Sequence, residues 1–372
     1  MFVVYCFCVI PIFFIVNNLL ALNIPRLISD FGLVAFVLIK ILIIFCGNKL
    51  KLKVSPILFL LIFISFSLGI LRFIFPLIDA EPDWVMGGME FKPLVYIAIS
   101  ILMMVNVKGG INKTVVRSAS VLAVIVTFDC IIRTLQSGTM QRAISTGEIN
   151  YEALLLVIAL CLLMSETRIN KKYFIVIFTG LLATMSRTGL ITIIIVSFMS
   201  NKVPFRFKVF LAILAVIFIA LSVSVRGLGD AGLDGIDRYW MWVVAINLFE
   251  SDPLSLLTAF NPYLPLPVSG IPNQLQWLFN YQMENKAMTG FYPFTFHSMW
   301  LRLFVTWGWA GFLSFFILIF ILVNKKTKPL NKSLAIVVLL QGMTMGVIYI
   351  GYVCVMLVTV FLSNNYLYRK VE

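Results

Sequence analysis

The sequence predicts an all-α, polytopic integral membrane protein, and three observations support this fold class. The chain has 372 residues, of which 61% are hydrophobic and only 12% are charged, whereas a soluble domain has about 25% charged residues. The apolar residues lie in blocks close to the roughly 20 residues that a membrane-spanning helix needs. These blocks are continuous rather than alternating, so helices are favoured over an outer-membrane barrel.

The basic residues predict the orientation of the chain. The formal net charge is +13, and Lys and Arg lie mainly in short loops between apolar blocks. This is the positive-inside pattern of membrane proteins rather than a nucleic-acid-binding surface. Lys49, Lys51 and Lys53 follow two predicted helices, residues 2–22 and Ile28–Cys46. That loop is therefore expected in the cytoplasm, together with the N-terminus.

The remaining helices are predicted in the same way. They cover residues 54–78, 92–107, 118–135, 151–168, 173–198 as a broken pair, 209–225 and 297–324. Five basic loops fall on one side, and a long loop, residues 226–296, falls on the other. Residues 334–362 form either one long helix or two short ones broken near Gln341-Gly342, and the basic tail favours two. We therefore expect about twelve transmembrane helices in one domain, residues 1–372, with one long periplasmic loop.

The pair Ser186-Arg187 interrupts an apolar stretch, residues 173–198. The thirteen residues before Ser186 make about 20 Å of helix, which is too short to cross about 30 Å of hydrocarbon. Arg187 is therefore predicted at a re-entrant turn near the outer leaflet, where a planar guanidinium group suits a phosphate. The alternative is an arginine that snorkels from a helix end.

Arg238 lies early in the long loop and precedes an aromatic segment. Residues 239–249 read as an amphipathic helix at the membrane interface, with Trp240 and Trp242 as belt residues. A charged side chain beside such a helix could bind an anionic substrate. It could equally pair with Asp234 or Asp237 as an ordinary surface ion pair.

His297 is the only histidine in the chain, and it lies where the long loop meets the next predicted helix. Histidine is the side chain best suited to moving a proton near neutral pH. The alternative is an interfacial histidine packed among aromatic rings. This position is expected at the mouth of an external cavity. Arg302 lies five residues further on, where it could reach the same cavity or pair with a lipid headgroup.

Several other signals are weak. Asp230, Asp234 and Asp237 lie close together, but their spacing is not that of an EF-hand, and a solvated turn is favoured over a calcium site. The chain has no Walker loop. The first external loop has no carboxylate, which disfavours a metal-dependent transfer. The helices hold few acidic residues, which argues against a transporter-type proton relay.

Three features together resemble the bacterial O-antigen polymerase and O-antigen ligase superfamily (Wzy and WaaL type). Residues 181–189 are similar to the family's Ser-Arg turn between two short helices. A long external loop opens with Arg238 and Tyr239. His297-Ser298 begins a segment similar to the family's His-Asn/Ser helix that re-enters the membrane; its further matching positions are Leu301, Leu303, Gly308 and Gly311. The resemblance covers most of residues 151–323.

The resemblance implies a glycosyltransferase at the periplasmic face of the bacterial inner membrane. The donor is an oligosaccharide on undecaprenyl pyrophosphate, and neither a metal nor another cofactor is implied. Arg187 and Arg238 would hold and neutralise the pyrophosphate, and His297 would take the proton of the attacking hydroxyl group. Further substrate contacts are expected from Arg302, Tyr239 and Trp300. The implied partners are the lipid bilayer and a chain-length regulator protein, with no nucleic acid.

Four functions remain open at this point. An O-antigen polymerase joins lipid-linked repeat units in lipopolysaccharide biosynthesis, and we favour it because the chain is divergent and rich in Phe and Ile. An O-antigen ligase would instead transfer the polysaccharide to lipid A–core. A polysaccharide flippase belongs to a different class, but flippases rarely need a long external loop such as the one from Arg238 to His297. A scaffold role, in which the polar residues merely end helices, is the plainest alternative.

Overall fold

The computed structural model of the protein describes residues 2–19, 28–46, 67, 83–104, 111–143, 149–166, 169–225, 237–255, 259–268, 270–286, 290–323 and 328–366. The regular elements in these ranges are all helical. In chain order they are α1 (Phe2–Val4, a π-helical turn Tyr5–Val9 and Ile10–Leu19), α2 (Ile28–Cys46), α3 (Trp84–Met104), α4 (Asn112–Ser137), α5 (Ile149–Ser165), α6 (Lys171–Thr184), α7 (Arg187–Met199), α8 (Phe205–Val225), α9 (Asp237–Ser251), α10 (Asn273–Lys286), α11 (Met299–Val323), α12 (Pro329–Gly342) and α13 (Gly351–Tyr366).

Three described helices, α3, α4 and α8, are long and apolar enough to cross a membrane. A fourth span is counted if the two halves of α11 are taken together, although they meet at an angle of 114°. Other apolar helices are shorter, between 10 and 17 residues. The all-α prediction is confirmed for the described residues, whereas the count of about twelve spans remains a prediction.

Helix α5 forms the centre of the bundle. The fourteen positions from Tyr151 to Met164 are all buried, as expected for a helix that is apolar on every side. Helices α4 and α6 cross beside it at small residues. A Cβ atom added to Gly180 of α6 would lie 2.5 Å from the Cα of Ala123 of α4. The absence of a side chain therefore allows the two backbones to approach closely, as in many membrane bundles.

One set of helix ends is joined through lysine side chains. Lys202 Nζ donates to the carbonyl oxygens of Ser165, at 2.6 Å, and Glu166, at 3.0 Å, at the end of α5. Lys328 Nζ donates to the Asn364 carbonyl near the end of α13. Lysines satisfy carbonyl groups that a helix end leaves without partners. We call the end of the bundle that holds these contacts the lysine face.

The opposite helix ends are joined through small polar side chains. Ser186 Oγ, between α6 and α7, donates to Asn150 Oδ1 at the start of α5, at 3.4 Å. Ser222 Oγ of α8 donates to the Met185 carbonyl at 3.1 Å. Because α5 and α6 have their other ends on the lysine face, the Ser186 break lies at the far end of the bundle. We call this end the polar face.

Most of the long loop, predicted as residues 226–296, is folded where the structure describes it. Helix α9 confirms the helix predicted at 239–249. Its residues Met241, Val244, Ala245 and Leu248 are buried on one face. They belong to a separate hydrophobic cluster that includes Phe296 and Val305. The loop thus packs on the first half of α11 and on Phe296, which precedes this helix.

The structure differs from the prediction at the start of α3. Residues 79–91 were expected to form a connection, but α3 already begins at Trp84. Asp83 Oδ1 accepts the backbone N–H groups of Val85, at 3.1 Å, and Met86, at 3.0 Å, which caps the helix start. The prediction was wrong here because a segment with four acidic residues and no basic residue resembles a loop. The helix predicted at 54–78 lies, apart from residue 67, outside the described residues.

The ambiguous stretch 334–362 is resolved as two helices. Helix α12 ends at Gly342 and α13 begins at Gly351, so the break lies next to the predicted Gln341-Gly342. We call residues 343–350 the connecting turn. The start of α12 and the end of α13 lie together on the lysine face, where Asn364 Nδ2 donates to Asn331 Oδ1 at 3.1 Å.

Candidate functional site

The predicted break at Ser186 is present and is built from local hydrogen bonds. Helix α6 ends at Thr184, and Met185 takes a left-handed conformation with φ 49° and ψ 31°. Ser186 then caps α7, because its Oγ accepts the N–H of Gly189 at 3.4 Å. Thr184 Oγ1 accepts the Ser186 N–H at 3.2 Å. With 14 and 13 residues, each helix is about 20 Å long, as the sequence predicts.

Arg187 occupies the first position of α7 and is partly buried. The first turn of a helix carries a partial positive charge from its unpaired N–H groups. The guanidinium group of Arg238 lies close enough to act on Arg187 electrostatically. Two arginines that are far apart in the sequence are therefore brought to the same helix N-terminus, since Arg238 bonds to Thr344 and Thr344 bonds to Thr188. This is an arrangement that favours anions.

The connecting turn holds Arg238 in this place. Arg238 Nε donates to the Thr344 carbonyl at 2.6 Å. Thr344 Oγ1 donates in turn to Thr188 Oγ1 at 3.1 Å, one residue after Arg187. The turn therefore bridges the start of α9 and the start of α7. Sequence reasoning missed Thr344, since a hydroxyl group with no motif around it gives no signal; Thr188 lies within the predicted Ser-Arg turn but was not singled out.

The residues after His297 bind the same segment of the chain. Ser298 Oγ donates to the Gly342 carbonyl, at the end of α12, at 3.0 Å. The Met299 N–H donates to the Met345 carbonyl, in the connecting turn, at 3.1 Å. His297 itself is exposed. The connecting turn thus contacts the segments that hold all three predicted catalytic positions. Arg238 bonds to it directly, and the residues that follow Arg187 and His297 bond to it or to the adjacent Gly342.

The two arginines carry charges of the same sign. In the part of the chain that the structure describes, neither Arg187 nor Arg238 forms an ion pair with a carboxylate. Asp237 is adjacent to Arg238 in sequence without pairing with it, which leaves one of the two pairings considered above unformed. Asp230 and Asp234 lie outside the described residues. A cationic pair that has no carboxylate partner among the described residues suits a ligand with several negative charges.

Arg302 has a different environment from the one expected. It is 8% exposed and its guanidinium group forms two hydrogen bonds with Glu90, from Nη2 to Oε1 at 2.6 Å and from Nε to Oε2 at 3.2 Å. A guanidinium group engaged in this way has little capacity left for a phosphate. Glu90 was not singled out from the sequence, because it was assigned to a connection and not to a helix.

The two predicted aromatic contacts differ in accessibility. Tyr239 is 41% exposed and packs edge to face on Trp240. Trp300 is only 3% exposed, and its indole N–H donates to the Leu339 carbonyl at 2.9 Å. Its ring packs against Phe312 and Phe316. Tyr239 is thus placed where a ligand can reach it, whereas Trp300 joins α11 to α12.

Comparisons of the chain with protein-family models, with curated proteins and with solved structures found no match.

Proposed function

We propose that the protein is an O-antigen polymerase of the bacterial inner membrane. In this role it joins oligosaccharide repeat units that are carried on undecaprenyl pyrophosphate. The observation that carries the proposal is the pair Arg187 and Arg238 at the N-terminus of α7, without a carboxylate partner among the described residues. A pyrophosphate diester has two negative charges and several acceptor oxygens, which match two guanidinium groups and a helix N-terminus.

The proposed orientation follows from the two ends of the bundle. Lysines cluster at the lysine face, which by the positive-inside rule is cytoplasmic. Arg187, Arg238 and His297 belong to the opposite, polar face. In a bacterial inner membrane this end faces the periplasm. The lipid-linked donor would reach it from the outer leaflet, at the depth of the break between α6 and α7.

The chemistry is a displacement at the anomeric carbon of the donor sugar. A hydroxyl group of the acceptor unit forms a bond to this carbon, and the bond between the carbon and the pyrophosphate oxygen breaks. Arg187 and Arg238 neutralise the charge that develops on the departing pyrophosphate. His297, which is exposed at the same turn, takes the proton from the attacking hydroxyl group. The products are a longer lipid-linked chain and undecaprenyl pyrophosphate.

Cell-envelope polysaccharide tests the proposal directly. A strain that lacks the gene is complemented with the wild-type chain, Arg187→Ala, Arg238→Ala or the control Arg206→Ala, which removes an exposed arginine at the start of α8. We expect a full ladder with the wild type and with the control. Both site variants should give lipid A–core with a single repeat unit and no ladder above it.

Other outcomes would identify the competing functions. Lipid A–core alone, with long polymer left on the lipid carrier, would mean that the protein is the ligase. Lipid A–core alone, with no exported polymer, would mean a flippase. A normal ladder from both site variants at normal expression would sink the assignment of the two arginines. Co-purification of a chain-length regulator with the wild-type chain tests the expected partner.

A further inference from the structure

Glu90, Arg302 and Tyr349 form a buried cluster beside the proposed site. Glu90 is 1% exposed and Arg302 is 8% exposed, and two hydrogen bonds join them. The guanidinium carbon of Arg302 lies 3.5 Å from the centroid of the Tyr349 ring. We call these three residues the ion-pair cluster. The proposed transfer reaction uses none of them directly.

The cluster joins three elements that are far apart in the sequence. Glu90 lies in α3, Arg302 lies in the first half of α11, and Tyr349 lies in the connecting turn. Two of these elements carry the proposed site. The first half of α11 follows His297 directly, and the connecting turn accepts the hydrogen bond from Arg238. The cluster therefore attaches the histidine side and the arginine side of the site to one another and to α3.

The energetics of a buried ion pair indicate a geometric role. Removing two charges from water costs about as much as their attraction returns, and apolar residues of similar volume stabilise a core at least as well. A bidentate pair nevertheless fixes distance and orientation, because the planar guanidinium fork matches the carboxylate. The carboxylate binds an edge of the guanidinium group, and the ring of Tyr349 covers one of its two faces. The ion pair therefore fixes the position of α11 relative to α3, and the contact of Arg302 with Tyr349 adds the connecting turn to this arrangement.

We infer that Glu90 and Arg302 are positioning residues, which set the location of His297 relative to Arg238 and Arg187. This inference rests on the proposed function, and it assigns Arg302 a role other than contact with phosphate. Displacements of about 1 Å in a catalytic arrangement can reduce a rate about 100-fold. Loss of the ion pair should therefore affect the chemical step much more than the binding of the lipid-linked donor.

The test replaces the pair by apolar residues and compares it with a matched pair elsewhere. The variant is Glu90→Leu with Arg302→Met, and the control is Asp129→Leu with Arg133→Met, an ion pair within α4. Purified protein is assayed with lipid-linked repeat units extracted from a strain that lacks the gene. We expect the Glu90/Arg302 variant to keep its Tm, to lose about 100-fold in kcat and to keep KM within about twofold. The control should keep both constants.

A second variant guards against a failure to fold. Glu90→Asp keeps the charge but shortens the side chain by one methylene group, so it should fold and still lower kcat. Hydrogen exchange of residues 297–303 and 342–349 gives a readout that needs no activity. Exchange there should be faster in the Glu90/Arg302 variant than in the wild type, and unchanged in the control.

The outcomes separate the two hypotheses. A wild-type kcat in the folded Glu90/Arg302 variant would overturn the positioning role while leaving the proposed function intact. If the wild-type protein makes no polymer, the proposed function fails. Hydrogen exchange alone then tests whether Glu90 and Arg302 fix the two segments. Unchanged exchange in both segments would then overturn the positioning role as well.

Discussion

Arg187 and Arg238 bring two like charges to the start of α7, and the N-terminus of that helix adds further positive potential. Such an arrangement costs free energy, since like charges at short range disfavour one another. An anion placed between the two guanidinium groups removes this cost and adds charge-assisted hydrogen bonds. Binding of an anion should therefore stabilise the whole protein.

The first prediction concerns this stabilisation. Inorganic pyrophosphate should raise the Tm of the wild-type protein, because a ligand present at about 100 times its Kd stabilises by about 2.7 kcal/mol. The increase should disappear in Arg187→Ala and in Arg238→Ala and persist in Arg206→Ala. Thermal unfolding in detergent, followed by tryptophan fluorescence, measures it. An increase of equal size in all four proteins would place the anion elsewhere.

The second prediction concerns His297. Because this side chain is exposed, His297→Ala should leave expression and Tm nearly unchanged. The rate of chain growth should fall by about 10²- to 10⁴-fold if the imidazole acts as the base. Lipid-linked units should still accumulate at the outer face, and Gln276→Ala, an exposed change on α10, should have no effect. Accumulation of the units inside the cell would instead favour a flippase.

Sequence reasoning identified some site residues and missed others for a physical reason. Arg187 follows from the length of helix before it, which is a local property of the chain. Arg238 and His297 entered through short motifs around them. Glu90 and Thr344 gave no signal, because their importance lies in contacts across 212 and 156 positions. One sequence does not reveal which distant segments meet.

At the scale of elements, the bend in α11 depends on one glycine. Gly308 has φ 61° and ψ −166°, a conformation that is essentially restricted to glycine. It lies where the segments Met299–Trp309 and Gly311–Ile317 meet at 114°. The first of these segments follows His297 and the second continues towards the lysine face. The bend thus separates a short half-helix, which follows His297 and holds Arg302 of the ion-pair cluster, from the rest of α11.

The third prediction tests this bend. Gly308→Ala should lower the free energy of unfolding by about 1–3 kcal/mol, because the alanine side chain is strained in this conformation. Gly88→Ala is the matched control, since Gly88 lies in α3 with open space around its Cα. In a helix this change should be neutral or stabilising by up to about 1 kcal/mol. Equal Tm values for the two variants would show that Gly308 is not required for the bend.

The helices that were predicted well have apolar blocks with clear ends. The bounds of α2 agree with the predicted Ile28–Cys46, and the break between α6 and α7 lies at the predicted pair. The start of α3 was missed, because a helix cap by Asp83 in an acidic, glycine-containing segment resembles a turn. The resemblance implied a helix that re-enters the membrane after His297, with Gly308 among its matching positions, but the apolar block 297–324 was drawn as one helix, since glycine is common in membrane helices and its conformation is not encoded by composition.

For the whole molecule, the lysine face and the polar face define a testable orientation. The fourth prediction uses single cysteines at two exposed positions, Lys172→Cys on the lysine face and Leu254→Cys after α9. A membrane-impermeant maleimide applied to spheroplasts should label Leu254→Cys above the background of the native chain and leave Lys172→Cys unlabelled.

Inverted membrane vesicles provide the control for this experiment, because they expose the other side of the membrane. There the labelling of the two variants should be exchanged. Labelling of both variants in intact spheroplasts would contradict the proposed orientation. Labelling of Lys172→Cys alone would reverse it and place the arginine site in the cytoplasm.

The fold class followed from composition, whereas the arrangement of the helices did not. Apolar blocks predict helices because backbone polar groups must be satisfied within each segment in a membrane. They do not specify which helix becomes central, and α5 has this position through packing on neighbours from both halves of the chain. The close approach at Gly180 is likewise a property of a pair of helices and not of either sequence alone.

The connecting turn has a consequence for synthesis of the protein. Helices leave the ribosome in order, and Arg187, Arg238 and His297 have all been made before Thr344. Their common support nevertheless comes from residues 342–345, close to the end of the described chain. A nascent chain that ends at α11 already contains the three residues but still lacks this support. The arrangement of the three residues can therefore form only after α12 and the connecting turn have been synthesised.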